Sequence, residues 1–377
     1  MTETTAAFTS DLAALQAIGW PVTVDAGPDG WREALDARPD ARPARVVEQH
    51  RTGYIVLDGP DDSFSVESLG DWLRPPGYRE GRTDPTDRPG VGDWLLIEGG
   101  RRHAKAVALL PRMSAIKRGA AGEHYRQQLI AANIDVAFVV CGLDGDFNPR
   151  RIERYLLLVQ GGGVEPVVVL TKADKADAAE AATILRAAVG EQLAVVAVNA
   201  KDAASVAQLD RWLGAGRTAV LVGSSGAGKS TVTNTLLGLD KMKTSAVREN
   251  DSRGRHTTTH RALIPLPQGG CLIDTPGMRE LKPTGEEDVT DTFADIEALA
   301  AQCRFRDCKH EKEPGCAVRA AVEAGTLDPQ RFANFRKLSD EVAGAANRLA
   351  TRRQQQAESK VQTRALSKRL DDKYGKH

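Results

Sequence analysis

Residues 218–237 pass from an apolar run into a glycine-containing loop and then into a pattern with helical spacing. The apolar residues from Ala219 to Val222 predict a buried strand, and the residues from Thr231 onward predict a helix. Between them, residues 223–230 have the sequence GSSGAGKS, which matches the full pattern G-x-x-x-x-G-K-[ST]. A strand, such a loop and a helix in succession form a P-loop, whose backbone N–H groups surround a phosphate at the positive end of the helix. We therefore expect an α/β domain organised around this loop.

The P-loop residues have distinct expected roles. Three glycines let the backbone turn inward, while Lys229 is expected to reach the β- and γ-phosphates and the Ser230 hydroxyl to bind Mg²⁺. Lys229 is also the first candidate for a catalytic residue. The residues of this segment that are expected to contact the nucleotide are Gly223, Ser224, Ser225, Gly226, Ala227, Gly228, Lys229, Ser230 and Thr231.

A second motif follows another predicted buried strand, residues 165–170. It consists of Thr171, Lys172, Ala173 and Asp174, at the kind of strand end where α/β sheets bind ligands. The Asp174 carboxylate can accept hydrogen bonds from both N1–H and the 2-amino group of guanine, and Lys172 can lay its stem along the base. Alone, T-K-x-D is equally consistent with a helix cap. Together with the P-loop, it indicates a guanine nucleotide.

A third motif, Asp274-Thr275-Pro276-Gly277, follows a predicted strand over 271–273. In this D-x-x-G element, Asp274 would hold Mg²⁺ through water and the Gly277 N–H would sense the γ-phosphate. The polar segment 253–260 before it has no periodicity and resembles a switch loop that the γ-phosphate orders. One of the threonines at 257–259 should bind the metal, and we favour Thr258.

The residue after D-x-x-G is Met278, whereas many small GTPases carry a glutamine there that orients the attacking water. A thioether cannot orient water in this way. We hypothesise that His256 of the switch loop takes this catalytic role. The alternative is a structural or RNA-facing histidine.

The order of these motifs is unusual. The common GTPase arrangement begins with the P-loop and has the guanine motif fourth, but here the guanine motif at 171–174 precedes the P-loop at 223–230. A parallel sheet keeps its site residues in place when the chain is cut and rejoined elsewhere, provided that the original ends lie close. We therefore predict a circularly permuted GTPase domain whose second switch is joined directly to the following domain.

Four potential metal ligands fall within a stretch of 14 residues: Cys303, Cys308, His310 and Cys316, with the spacing C-x4-C-x-H-x5-C. Three thiolates and one imidazole form the closed tetrahedral set of a structural zinc site, which leaves no position for water and hence predicts no catalysis. The alternative is a redox-active cysteine cluster. Cys141 and Cys271 fall in or beside predicted strands and are expected in the core.

At 377 residues the chain is expected to hold several domains. Short runs of alternating apolar and polar residues between 44 and 112 predict an antiparallel barrel. We favour an OB-type barrel that binds oligonucleotides over an SH3-like barrel. Near-continuous apolar strands alternate with helices from residue 135 onward and predict a parallel sheet covered on both faces. The expected divisions are an N-terminal extension 1–40, an OB-fold barrel 41–113, a linker 114–124, a permuted α/β GTPase domain 125–282, an α-helical zinc-binding domain 283–350 and a basic tail 351–377.

The overall charge is balanced, with 51 Lys and Arg against 51 Asp and Glu, so it excludes no class of partner. From residue 331 to the end, however, 12 Lys and Arg stand against 5 Asp and Glu, which predicts a solvated basic helix that either binds nucleic acid or contacts nothing. No apolar run approaches the roughly 18 residues of a membrane span, and residues 1–30 lack a secretory signal pattern. We therefore expect a cytoplasmic protein without membrane contacts.

Together, these residues resemble the bacterial ribosome small subunit-dependent GTPases, the RsgA (YjeQ/EngC) family. The resemblance extends from the barrel through TKAD, GSSGAGKST, RGRHTTT and DTPG to the cysteine–histidine cluster. It implies that the three domains bind the 30S subunit and its 16S rRNA late in maturation, with GTP or GDP as ligand. It also implies that the ribosomal particle stimulates GTP hydrolysis, which fits the missing glutamine. We expect a monomer with one structural Zn²⁺, and with Mg²⁺ bound alongside GTP.

Two positions near the base depart from common patterns. Thr171 stands where many GTPases have asparagine, and Asn199-Ala200 stands where the family often has Ser-Ala. A backbone contact from this pair to guanine O6 is still expected, while the role of the Asn199 side chain stays open. Two other functions remain in consideration, a plain RNA-binding scaffold with a structural nucleotide and an ATPase.

Overall fold

In the computed structural model, the described residues are 12–22, 30–50, 52–73, 85–119, 127–144, 146–174, 176–190, 192–238, 262–274 and 282–374. They form a closed barrel, a two-stranded hairpin, a six-stranded sheet and a helical C-terminal region, in that order along the chain. This order confirms the predicted fold, with a barrel first, an α/β domain in the centre and helices last. None of the helices described is both long and apolar enough to span a bilayer.

Five short strands close into the N-terminal barrel: β1 (Arg42–Gln49), β2 (Gly53–Leu57), β3 (Phe64–Glu67), β4 (Trp94–Glu98) and β5 (Ala104–Leu109). Their order around the barrel is β1-β2-β3-β5-β4, with β4 pairing back to β1. Apolar side chains from all five strands fill the inside, as a period of two predicts. The parallel β3–β5 pairing and the closure between β1 and β4 give an OB-type topology, which confirms the predicted barrel over the SH3-like alternative.

The described residues before the barrel pack against it. A helix over 12–17 (α1) and α2 (Trp31–Asp36) precede β1, while α3 (Gly70–Leu73) and a 3-10 turn at Pro85–Asp87 follow β3. The rings of Trp20, Trp31 and Trp94 are buried, and the Trp20 centroid lies 4.6 Å from that of Trp31 and 4.7 Å from that of Trp94. The N-terminal segment therefore contributes side chains to the core.

The predicted linker 114–124 is in part a strand, which corrects that expectation. β6 (Ala115–Gly119) pairs antiparallel with β7 (Gln127–Ala132) in a separate two-stranded ladder. Ile116 of β6 is fully buried, whereas Lys117 and Arg118 beside it are partly exposed. Consecutive charged residues hide the alternation of a strand, so the sequence pattern resembled a linker.

The central sheet contains six described strands: β8 (Val136–Gly142), β9 (Glu165–Thr171), β10 (Ala194–Val198), β11 (Thr218–Gly223), β12 (Ala262–Pro265) and β13 (Cys271–Asp274). Their order is β10-β9-β8-β11-β13-β12, and every neighbouring pair except β12–β13 is parallel. The described helices of this domain are α4 (Pro149–Gln160), α5 (Ala178–Val189), α6 (Ala203–Val206) and α7 (Lys229–Leu236), with a 3-10 turn at Ala207–Trp212. Two buried apolar clusters cover the two faces of the sheet, as the near-continuous apolar strands predicted. Cys141 and Cys271 are buried in it, as expected.

Arg45 of β1 is fully buried where the barrel meets the central sheet. Its guanidinium donates to the carbonyl oxygens of Ile18, Gly92 and Asn133 at 2.7, 3.2 and 2.8 Å, respectively. These acceptors belong to the N-terminal segment, to the barrel and to the start of the central domain. One side chain therefore joins three parts of the chain.

The C-terminal region comprises α8 (Ala294–Ala300), α9 (Ala317–Glu323) and α10 (Pro329–Tyr374). Phe293, Ile296 and Leu338 pack there with Leu157 of α4 in a separate buried cluster. The Asp328 carboxylate accepts from the N–H of Gln330 at 2.9 Å and so caps α10. α10 then continues through the predicted boundary between 350 and 351. The predicted basic tail is therefore, up to residue 374, an extension of the last helix of this region.

Candidate functional site

The carboxyl ends of five parallel strands meet at one edge of the central sheet. The strand register places Thr171 of β9 beside Gly142 of β8. It also places Gly223 of β11 beside Val140 of β8, and Asp274 ends β13 on the far side of β11. The guanine motif, the P-loop and the D-x-x-G element therefore begin at the same edge, where α/β sheets bind ligands.

The P-loop leaves β11 at Gly223 and enters α7 at Lys229. Gly223 has a φ of 143°, and a Cβ at this position would lie 2.2 Å from the carbonyl oxygen of Val140, so only glycine fits. Gly226 and Gly228 also have positive φ values, 83° and 100°. These conformations turn the loop backbone immediately before the N-terminus of a helix, as an anion site requires.

Lys229 folds back onto the loop that precedes it. Its Nζ donates to the carbonyl oxygens of Gly223 and Ser224 at 2.7 and 2.5 Å. Burial lowers the pKa of Lys229, while the carboxylates of Asp274 and Asp146 oppose that shift. Backbone oxygens therefore hold the Lys229 ammonium at the P-loop, close to two acidic side chains.

Thr171 joins the guanine motif to the P-loop. Its buried hydroxyl donates a short hydrogen bond to the carbonyl of Ala227 and lies 3.4 Å from the carbonyl oxygen of Cys141. A Cβ added to Gly228 would lie 3.1 Å from Thr171 Oγ1, so the two segments are in close contact. A threonine hydroxyl thus contacts the P-loop from the position where many GTPases have asparagine.

The other residues of the guanine motif extend along the same edge. Lys172 has a φ of 60°, and its ammonium forms an ion pair with Asp144 beyond β8, which lowers the pKa of Asp144. The Ala173 N–H donates to the carbonyl of Val198 at 3.4 Å and so connects the motif to β10. Asp174 is exposed. Its carboxylate is accessible to a ligand at this edge.

Asn199 and Ala200 follow β10 at the same edge. Asn199 Oδ1 accepts from the Lys201 N–H at 3.1 Å, and the Asn199 N–H donates to Ser205 Oγ at 2.9 Å. Ala200 is buried, and its carbonyl accepts from Thr235 Oγ1 of α7 at 2.7 Å. The Asn199 side chain therefore shapes its own turn, and Ala200 is fixed against the helix that follows the P-loop.

Two of the predicted magnesium ligands are described. Ser230 is exposed in the first turn of α7. Asp274 lies close enough to Lys229 for its carboxylate to oppose the lowering of the Lys229 pKa by burial. The predicted site residues His256, Thr258 and Gly277 lie outside the described residues. Their roles stay predictions.

Sequence reasoning missed the residues after β8. Asp146 forms an ion pair with Arg151 of α4, and Arg151 Nη1 donates to Ser224 Oγ of the P-loop at 2.7 Å. Tyr155, one turn later, also forms a hydrogen bond with Ser224. β8 ends at the same edge as the strands that carry the motifs, so its polar C-terminal residues were candidates by the same rule.

A second candidate site lies in the C-terminal region. Its members are Cys303, Cys308, His310 and Cys316, whose ligand atoms all lie within 4.8 Å of one another. The Sγ atoms of Cys303 and Cys316 are 3.9 Å apart, and His310 Nδ1 lies 3.6 and 3.3 Å from them. Tetrahedral bonds of the usual length to zinc would separate such atoms by about 3.5–3.8 Å, whereas a disulfide would need about 2 Å. The cluster therefore fits a metal ion, and its cysteines are unpaired.

The backbone supports this cluster. The Arg319 N–H donates to Cys316 Sγ at 3.4 Å, so the Cys316 side chain caps the start of α9. His310 and Gly315 have positive φ values of 59° and 75° and reverse the chain between ligands. The ligands are thus brought together by turns and by one helix start.

Two family models match parts of the chain. The model of the RsgA GTPase matches residues 109–284. The model of the ABC transporter matches residues 206–368, a range that contains the P-loop common to both kinds of nucleotide-binding protein.

Curated relatives match most of the chain. The small ribosomal subunit biogenesis GTPase RsgA of Xanthomonas campestris pv. campestris is 66% identical over 340 residues, which cover 90% of this chain and 91% of that protein. The protein of the same name from Xanthomonas axonopodis pv. citri is 65% identical over 344 residues, which cover 91% of this chain and 92% of that protein.

Two solved structures share the fold. YjeQ from Thermotoga maritima matches with a TM-score of 0.57 at 23% identity, over 81% of this chain and 99% of that one. YloQ, described as a circularly permuted GTPase, matches with a TM-score of 0.54 at 23% identity, over 82% of this chain and 96% of that one. These likenesses confirm the permuted order, in which β9 with the guanine motif precedes β11 with the P-loop. On the identity and coverage of its curated relatives, the chain belongs to the RsgA GTPase family.

Proposed function

We propose that the chain binds and hydrolyses GTP as a late maturation factor of the small ribosomal subunit, and that the 30S particle stimulates hydrolysis. The observation that carries GTP binding is the hydrogen bond from Thr171 to Ala227, because it joins the guanine motif to the P-loop at one edge of the sheet. The names of the curated relatives support the ribosomal role.

We assign the guanine base to the segment 171–174 together with Asn199 and Ala200. The exposed Asp174 carboxylate accepts from the two guanine donors, and Lys172 lies beside the base while paired with Asp144. We assign the phosphates to residues 223–231. There, Lys229 is already desolvated and held at the loop, so it provides a positive charge where the γ-phosphate reacts.

We assign the Mg²⁺ that accompanies GTP to Ser230, Thr258 and Asp274, because hydroxyl and carboxylate oxygens are the ligands that this hard cation prefers. When bound, the ion neutralises charge on the β- and γ-phosphates. Gly277 is assigned to the γ-phosphate through its N–H. His256 is assigned to the attacking water, which Met278 cannot orient.

We further propose that Cys303, Cys308, His310 and Cys316 hold one structural zinc ion. The ligand distances support this assignment. Zinc bound there would cross-link the turn around 303–310 to the start of α9 and take no part in catalysis.

We infer that the partners are GTP or GDP and the 30S subunit with its 16S rRNA, and that the chain acts as a monomer in the cytoplasm. The barrel, the metal-binding region and the basic part of α10 are the surfaces assigned to rRNA. Contacts between Lys or Arg and phosphates make such binding weaker as salt rises.

GTP turnover with and without purified 30S subunits tests the proposal. We expect stimulation by the subunits and none of this activity in Lys229→Ala. If the Lys229→Ala variant dissociates from 30S particles at the normal rate in GTP, nucleotide hydrolysis does not determine when the protein is released. A plain RNA-binding scaffold is then the better description.

Base specificity has its own test. Asp174→Asn should shift the preference from guanine toward xanthine nucleotides, because an amide can donate to the oxygen that replaces the 2-amino group. Equal turnover of ATP and GTP by the unmodified chain would instead support an ATPase.

The role of His256 is tested by His256→Ala in the presence of 30S subunits. A large loss of stimulated turnover at unchanged GDP affinity is expected. An unchanged stimulated rate removes His256 from the mechanism.

A further inference from the structure

Helix α4 contacts the C-terminal region with one face and the P-loop with another. Positions 150, 153, 154 and 157 have the i, i+3, i+4, i+7 spacing of a single helix face, and they contact the C-terminal region. Arg151 and Tyr155 lie about 110° and about 150°, respectively, around the helix from the centre of that stripe and contact Ser224 of the P-loop.

The first face is centred on Glu153, which is fully buried. Its carboxylate accepts from Arg331 of α10 at 2.7 Å and from Arg150 at 2.6 Å. Burial raises the pKa of Glu153, and these two arginines oppose that shift. Arg331 also pairs with Asp295 of α8. Charge-assisted hydrogen bonds of this kind are directional, so they hold α4 in a fixed relation to the C-terminal helices.

Further contacts extend this attachment along α4. Arg154 donates to both carboxylate oxygens of Glu341, at 2.6 and 2.8 Å. Leu157 is buried in the apolar cluster of the C-terminal region. At the end of the helix, Gln160 Oε1 accepts from Thr292 Oγ1 at 2.8 Å. α4 is therefore attached to the C-terminal region from its first turn to its last.

The second face leads to the phosphate site. Arg151, paired with Asp146, donates to Ser224 Oγ at 2.7 Å. The carbonyl of the same Ser224 accepts from Lys229 Nζ at 2.5 Å. The start of α4 is itself fixed, because Asn148 Oδ1 accepts from the N–H of Arg151 at 3.3 Å. A continuous chain of contacts thus leads from α4 through one P-loop residue to the lysine.

We propose that Arg151 is a positioning residue for the P-loop, acting through Ser224, and that α4 transmits to it the placement of the C-terminal region. This inference rests on the proposed GTP hydrolysis and adds a route for its stimulation. A ribosomal particle that moves the C-terminal region moves α4 with it, because Glu153 and Arg154 fix the two together. The displacement then reaches Ser224, and with it the carbonyl that holds Lys229.

A simple surface ion pair is the alternative for Arg151, whose side chain is 43% exposed. Two observations favour a positioning role. Asp146, which orients the guanidinium, is only 19% exposed, and its charge acts on Lys229. Ser224 is also contacted by Tyr155 from the same helix, so the loop residue is held from two successive turns.

Turnover and nucleotide affinity, measured separately, test the positioning role. We expect Arg151→Met to lower kcat for GTP about tenfold, within the range seen for residues that modulate coupling. The dissociation constant for GDP should change less than twofold, since Arg151 does not touch the nucleotide. Arg151→Lys keeps one donor and should recover part of the loss. The matched control is Arg217→Met, which removes a comparably exposed arginine, 55% exposed, from its pair with Asp135 in the central domain.

A double-mutant cycle tests transmission through α4. As a single substitution, Arg154→Met should lower the 30S-stimulated kcat about threefold. Added to Arg151→Met, it should have no further effect, because both substitutions interrupt the same route from the C-terminal region to the P-loop. Fold is checked by circular dichroism. If Arg151→Met does not fold, Ser224→Ala removes the same hydrogen bond from the other side and should give the same fall in kcat.

The outcomes separate this inference from the proposed function. If the unmodified chain hydrolyses no GTP with 30S subunits, the proposed function fails, and the affinity for a non-hydrolysable GTP analogue then decides the inference. Weaker binding of the analogue by Arg151→Met at unchanged GDP affinity supports positioning of Lys229, and an unchanged affinity for the analogue overturns it. If the unmodified chain is active, a normal kcat in Arg151→Met overturns the positioning role. Effects of Arg151→Met and Arg154→Met that multiply independently overturn transmission through α4.

Discussion

Replacing Arg45 with methionine should destabilise the junction between the barrel and the central sheet. Methionine has a similar length and can fill the buried volume. It cannot donate to the carbonyl oxygens of Ile18 and Asn133, which Arg45 reaches at 2.7 and 2.8 Å. The third acceptor, the carbonyl of Gly92, keeps Asn133 Nδ2 as a donor at 3.0 Å. Two buried carbonyl oxygens therefore lose the donor that Arg45 provides.

The size of the effect follows from these contacts. A buried acceptor left unpaired costs about 1–3 kcal/mol, so two cost about 2–6 kcal/mol. The Trp94 ring, whose centroid lies 5.1 Å from Arg45 Cζ, loses a cation–π contact that contributes about 1 kcal/mol. Burial lowers the pKa of Arg45, which shows that its charge is costly to desolvate, and removing that charge offsets part of the loss. We expect the free energy of unfolding to fall by about 3 kcal/mol.

Urea unfolding followed by tryptophan fluorescence and by far-UV circular dichroism measures this loss. Trp20 and Trp94, whose centroids are 4.7 Å apart beside the junction, report on it locally. The matched control is Arg42→Met on the same strand, where the side chain is 37% exposed and pairs with Asp58 at 3.3 Å. An exposed pair contributes at most about 1 kcal/mol. Equal unfolding midpoints for the two variants, with equal m-values, would refute the reasoning.

Three further predictions concern the sites. Thr171→Val keeps the side-chain shape but removes the donor to Ala227, so the dissociation constant for GDP measured by calorimetry should rise about tenfold; an unchanged constant would contradict a role for this hydrogen bond. Cys316→Ser removes a buried sulfur that is one of the four proposed ligands, so elemental analysis should find less than one zinc per chain and the melting temperature should fall; full zinc content would count against the proposed ligand set. Glu341→Gln should lower stability by about 0.5–1 kcal/mol at pH 7, because Arg154 lowers the pKa of Glu341. Because the pKa of Glu341 is lower in the folded chain, the stabilisation is present above the unfolded pKa of 4.5 and is lost as pH falls through the folded pKa. The urea midpoints of the variant and the unmodified chain should therefore converge in acid. A difference that stays constant with pH would show that the charge of Glu341 is not responsible.

The meeting of the guanine motif, the P-loop and Asp274 at one edge of the sheet could be predicted, because these short motifs lie at the ends of apolar strands. Gly223, Thr171 and Asp274 each end or follow a strand that is evident from its hydrophobic run, and parallel strands bring those ends to one edge. The cysteine–histidine cluster could be predicted for a similar reason, since all its ligands lie within 14 residues. In both cases a local pattern carries the information.

The contacts of α4 could not be predicted in this way. Glu153 and Arg331 meet although 178 residues separate them in sequence, and a charged residue on a buried helix face has the same local pattern as one in solvent. The hairpin of β6 and β7 was missed because its polar residues interrupt the alternation. The role of Arg45 was missed too, because an isolated arginine in a strand does not indicate three backbone acceptors from distant segments.

The length of α10 amplifies any small rotation of the C-terminal region. Beyond Arg353, which donates to Glu286 at 2.8 Å, the helix continues to residue 374, a further 21 residues. At about 1.5 Å per residue this is about 31 Å of rod, so tilting the base by about 5° would sweep the far end through about 3 Å. A rearrangement around the cysteine–histidine cluster that is too slight to alter any contact there would still produce a larger displacement at the distal end of the helix.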